Sequence, residues 1–98
     1  MWAGVLDLEV LLGDVHSLKQ KRALVRPVVA ELRRVFPVSA AEAGHLDLHR
    51  RALIGVAVVG TTAEYCRDVL DGCERTVAAR PELELLSARQ RLISEEDE

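Results

Sequence analysis

Aromatic residues are almost missing from this 98-residue chain: Trp2, Phe36 and Tyr65 are the only three. Proteins that hold single strands of nucleic acid stack bases on aromatic side chains, so a supply this small argues against that mode. Cysteine is nearly as scarce. Cys66 and Cys73 lie seven apart in a helical pattern, which puts them on one face but about 10 Å apart along the axis. A disulfide needs Cα atoms within about 7 Å, so both are read as reduced core thiols of a cytosolic protein. No apolar run is long enough to cross a membrane; the longest, around Ala52–Val59, is strand-sized. The N-terminus lacks a cationic stretch followed by a cleavable apolar one. Glycine-rich phosphate loops are missing too, since Gly13 and Gly60 stand alone.

What is present is aliphatic and charged. Hydrophobic residues make up 49% of the chain, which at this length builds one core and one domain. The formal charge is −3, but Glu95, Glu96, Asp97 and Glu98 form an acidic tail, and residues 1–94 carry 13 cations against 12 anions. Polarity is therefore local. From His16 to Arg34 six Lys/Arg face a single acid, Glu31, and three of them crowd into Ser17-Leu18-Lys19-Gln20-Lys21-Arg22. Ser17 can cap a helix there, although cations in a first turn oppose the helix dipole.

Taken in order, Trp2 to Leu12 alternates, with Trp2, Gly4, Leu6, Leu8, Val10 and Leu12 on a core face and Ala3, Val5, Asp7, Glu9 and Leu11 on the other. Gly13-Asp14 ends this strand, and a helix is predicted from Leu18 to Phe36. Pro27 inside it removes a hydrogen bond and predicts a kink or a two-part helix. Val38–Ala43 reads as a short edge strand and Gly44–Arg50 as a loop. Ala52–Val59 is apolar on both phases, which suits a central strand covered on both sides. A second helix spans Ala63–Ala79, with Cys66, Val69, Leu70, Cys73 and Val77 at helical spacing. After Pro81, Leu83–Ile93 forms the last strand, and residues 95–98 are expected to be a disordered tail beyond a 1–94 domain.

Strand, helix, strand, strand, helix, strand with right-handed crossovers gives a ferredoxin-like α+β fold: four antiparallel strands in the order 4-1-3-2, both helices on one face. The other face starts uncovered. Val5, Asp7 and Glu9 of the first strand, Ile54, Val56 and Val58 of the third, and Arg89 and Arg91 of the fourth are assigned to it as a candidate interface, with the acids and arginines able to pair.

Gly4-Val5-Leu6, Ser17-Leu18-Lys19-Gln20-Lys21-Arg22, Phe36-Pro37-Val38-Ser39-Ala40-Ala41-Glu42, and Asp47-Leu48-His49-Arg50-Arg51-Ala52 leading into Gly55-Val56-Ala57-Val58-Val59 resemble the YlxP-like family of small bacterial proteins. The resemblance covers nearly the whole chain; Pro27 and the acidic tail depart from the commoner pattern. It implies a ferredoxin-like fold and no assigned activity. Members are often encoded beside translation initiation and ribosome-binding factors, which implies a ribosome or RNA connection.

Three classes of function follow. In the first, Lys19, Lys21, Arg22, Arg26, Arg33 and Arg34, joined by Arg50 and Arg51, neutralise phosphates of structured RNA or a ribosomal surface. With no aromatic on the third strand, contact would be to backbone rather than bases. The alternative is a homodimeric interaction module that uses the open sheet face without RNA, followed by a small-molecule-binding regulator. An enzyme has least support. Asp7 and Glu9 suit surface ion pairs better than acid–base work. His45, Asp47 and His49 occupy alternate positions, which point the same way in an extended segment as metal ligands must, yet a polar loop supplies such residues by chance, and no metal or cofactor is assigned. Neither membrane nor DNA is expected as a partner.

Overall fold

The computed structural model describes residues 1–95. Its elements are β1 (Trp2–Leu12), α1 (Leu18–Val35), β2 (Ser39–Gly44), β3 (Arg51–Gly60), α2 (Ala63–Ala78) and β4 (Leu83–Ser94). The strands form one antiparallel sheet in the order β2-β3-β1-β4, and the fold is the ferredoxin-like α+β arrangement. Alternation sets the layers: Gly4, Leu6, Leu8, Val10 and Leu12 of β1 are all buried, while Asp7 between them is exposed. Val25, Val28, Val29 and Leu32 of α1, together with Cys66, Leu70, Cys73 and Val77 of α2, close the same core. Both helices thus lie on one side of the sheet. They approach closely at Gly72, where a Cβ would stand 2.6 Å from the Phe36 ring.

Each helix begins on the cap its sequence provides. The Ser17 hydroxyl accepts from the Gln20 N–H at 3.1 Å, and the Thr62 hydroxyl accepts from the Tyr65 N–H at 3.1 Å. Pro27 does not divide α1, which runs as one helix of 18 residues. Buried apolar residues before and after the proline hold both halves on the same sheet, and that packing outweighs the lost hydrogen bond.

Register corrects the expectation for β3. Ile54, Val56 and Val58, assigned to the uncovered face, lie opposite Leu8, Leu6 and Gly4 and point into the core. The other phase, Leu53, Gly55, Ala57 and Val59, forms the open face, so β3 is covered on one side only. Both phases are aliphatic, so alternation within the strand could not choose between them; pairing with β1 does. On the open face Ala3 lies between Val59 and Ile93, Val5 between Ala57 and Arg91, Asp7 between Gly55 and Arg89, and Glu9 between Leu53 and Ser87. Past Ser87 the pairing of β4 skips Leu86, and this bulge returns Leu85 to the core side opposite Val10. Glu95, assigned to the tail, sits in a turn where its carboxylate accepts from the N-terminal ammonium at 2.8 Å. The rest of the predicted tail, 96–98, lies outside the described residues.

Candidate functional site

The basic residues of α1 separate by helical geometry. At about 100° per residue, Lys19, Arg22, Arg26 and Arg33 fall within about 60° of one another, with Arg34 about 60° to the far side of Lys19. All five are exposed, and none makes an ion pair among the described residues. Glu31, the one acid of α1, is occupied by Arg80 at 2.7 Å. Arg22, Arg26 and Arg33 border a groove floored by Val25, Val29 and Ala30 and walled by Ala41 and Glu42 of β2. The Arg33 Nε donates to the Ala40 carbonyl at 2.9 Å, which leans this side chain over the free edge of β2.

Lys21 does not belong to this face. It falls about 200° from Lys19, in the middle of the stripe formed by Val25, Val28 and Leu32, and it is 1% exposed. Its ammonium donates to the His45 carbonyl at 2.6 Å and stands 2.7 Å from Glu42 Oε2, a carboxylate oxygen shielded from water with no other partner. A buried charge is tolerable only when paired in this way. The same helical spacing applied to the sequence distinguishes Lys21 from its neighbours; counting cations per turn does not.

Lys21 is one end of a polar network wrapped around the end of the sheet. His45 follows β2 with a φ of 56°, a left-handed conformation uncommon for a residue with a side chain. Its carbonyl faces Lys21 on the helix side and also accepts from the Leu48 N–H at 3.1 Å, while its ring Nε2 donates to Glu9 Oε1 at 2.8 Å on the open side. The other oxygen of Glu9 accepts from Arg51. The His45 ring first, and the Arg51 guanidinium second, hold the Glu9 carboxyl below its ordinary value. Arg51 is thereby committed within the chain rather than offered to a phosphate. Arg50 is exposed but pinned, its Nε donating to the Gly13 carbonyl at 3.0 Å.

Residues 45–50 are a turn, not an extended run, so His45, Asp47 and His49 do not point the same way. Among the described residues no group of three His, Cys, Asp or Glu side chains comes together to hold a metal. Of the candidate interface, Val5, Asp7, Glu9, Arg89 and Arg91 lie on the open face as expected. Glu9, however, pairs with His45 and Arg51, not with β4, and Asp7 makes no ion pair with Arg89 although the two are directly opposed. Cys66 and Cys73 are both buried, and burial pushes the Cys73 thiol up to about 11.

A ferredoxin-like α+β domain with one helix-covered face, one bare face and a cationic helix edge is the class that the fold and these surfaces define. The chain belongs to the family described as protein of unknown function DUF503, whose profile matches residues 3–90. It is similar to the uncharacterized protein YlxP of Bacillus subtilis (strain 168), at 28% identity over 81 residues that span 83% of this chain and 88% of that protein. The family resemblance carried by Ser17–Arg22 and the β3 region therefore holds. No helix among the described residues is long and apolar enough to cross a membrane.

Proposed function

We propose that this protein is a non-enzymatic accessory factor that docks on structured RNA or a ribosomal surface through the exposed stripe of α1. The observation that carries this reading is the alignment of Lys19, Arg22, Arg26 and Arg33 on one solvated edge with no ion pair among the described residues, the nearby Glu42 being taken by Lys21. Unpaired cations in a row exchange counterions for phosphates, and the apolar floor of the groove beside them, Val25, Val29 and Ala30, gives sugars a surface to lie on. The open face lacks what base reading needs. Its β1 and β3 residues, Ala3, Val5, Asp7, Glu9, Leu53, Gly55, Ala57 and Val59, include no aromatic, so contact is to shape and backbone. The neighbourhood of translation factors implied by the family resemblance points the same way.

The test is co-sedimentation with ribosomal subunits at low and moderate salt, with and without nuclease. Association at low salt that weakens with a slope of about −3 in log affinity against log salt is expected for four cations. Arg22→Glu with Arg26→Glu removes it. Lack of association at either salt, or association unchanged in that variant, would overturn the reading. Lys21 is the wrong residue for this test, because its replacement perturbs the core.

A further inference from the structure

We infer that the open sheet face is an interface with a second copy of this chain, closed by pairs of Asp7 in each subunit with Arg89 or Arg91 of the other. Val59 is 65% exposed and Ile93 41%, with Ala3 between them in register and Val5 and Ala57 in the next row. Nothing among the described residues covers this patch. The charges beside it choose the occupant. Asp7 and Arg89 are direct cross-strand neighbours, yet Asp7, Arg89 and Arg91 take no ion pair among the described residues, whereas the Glu9 carboxylate, one pleat away, is held by both His45 and Arg51.

Both signs therefore stand unneutralised on adjacent strands, and such a surface is complementary to itself. A two-fold axis parallel to the strands between β1 and β4 sets each Asp7 over the other copy's Arg89, as an isologous contact requires. Next to this row the face is hollow. Gly55 offers no side chain, a Cβ there would stand 3.1 Å from that of Ala43, and Val5, Ala41 and Ala57 rim a trough that a partner's side chain can enter. With that axis β1 and β4 of one copy lie over β4 and β1 of the other, and two strands about 4.8 Å apart and about 36 Å long bury about 350 Å² per copy. The total of about 700 Å² is below that of stable complexes, so a weak, reversible dimer is expected.

Light scattering of the purified chain at about 100 μM, a concentration above a micromolar dissociation constant, is expected to give twice the 10.8 kDa mass of one chain. Asp7→Lys alone, and Arg89→Glu with Arg91→Glu alone, are each expected to give monomers with unchanged circular dichroism, since all three positions are exposed. An equimolar mixture of the two variants restores the dimer, because each reversed charge then meets its opposite. A single-chain mass for the unmodified protein overturns the inference and leaves the face to a different partner. So does a dimer indifferent to both reversals, which would place the contact elsewhere, such as the outer edge of β4.

Discussion

Breaking the Lys21–Glu42 pair from one side is more damaging than removing both members, because the survivor is left charged, shielded and alone. Lys21→Met keeps the volume but strands the Glu42 carboxylate and leaves the His45 carbonyl with the Leu48 N–H alone. A loss of about 3 kcal/mol is expected, at the low end for a buried pair because Glu42 retains some water. Lys21→Met with Glu42→Leu should recover most of it. Urea midpoints for the two variants check this, and a single variant within about 0.5 kcal/mol of the parent would refute it. Glu9 adds a pH dependence of definite sign. Its folded value lies below the ordinary 4.5, so its contribution is complete above that value and disappears as pH falls through the folded one. Glu9→Gln should therefore lower the melting temperature at pH 7 and much less at pH 3, and an equal loss at both would show that the charge is irrelevant. At Cys73 the raised thiol and full burial predict no reaction with a thiol reagent at pH 8 until the chain is unfolded. The buried role of Lys21 was legible in the spacing of its apolar neighbours. That of His45 was not, because its left-handed backbone and its contact with Glu9, 36 residues away, arise only when the sheet edge closes.

Among the elements, β1 was the most legible and β3 the least, for one physical reason. A strand with one covered face announces its phase only when the other face is polar; Asp7 and Glu9 do this for β1, while Leu53, Ala57 and Val59 do not for β3. The order of elements and the pairing of strands needed no such detail, since two crossovers of ordinary hand leave a single arrangement. In α1 the sequence signals conflict. Its caps and apolar stripe ask for one helix and Pro27 asks for two, and burial of Val25, Val28, Val29 and Leu32 settles the matter in favour of one. The proline still lacks its N–H, and its ring still crowds the preceding turn. Pro27 is exposed, and only its carbonyl is engaged, weakly, by Arg80 at 3.4 Å. Pro27→Ala is thus expected to stabilise the protein by about 1–3 kcal/mol, a rise of several degrees in a domain of this size. A lowered melting temperature would mean that the helix depends on the proline's geometry.

At the scale of the molecule, the two surfaces argued to bind partners lie on different layers. The cationic stripe runs along α1 above the covered side of the sheet, and the unpaired charges of β1 and β4 lie below it, with the whole only 19 Å across its shortest axis. Pairing two open faces gives a four-layer particle, helices outermost, with the sheets about 10 Å apart. The two stripes then face away from each other, and a single short run of phosphates cannot reach both. Self-association consequently supplies no second grip on one RNA segment, and affinity per subunit should not depend on it. Asp7→Lys is expected to lose the dimer mass while its association with ribosomal subunits stays within about threefold of the parent, which corresponds to less than about 0.7 kcal/mol. The converse holds for Arg22→Glu with Arg26→Glu, which should abolish that association and leave the mass unchanged. A variant that loses both together, while its circular dichroism and melting temperature match the parent, would show that RNA binds across the two subunits. The sheet-to-sheet arrangement would then be the wrong dimer.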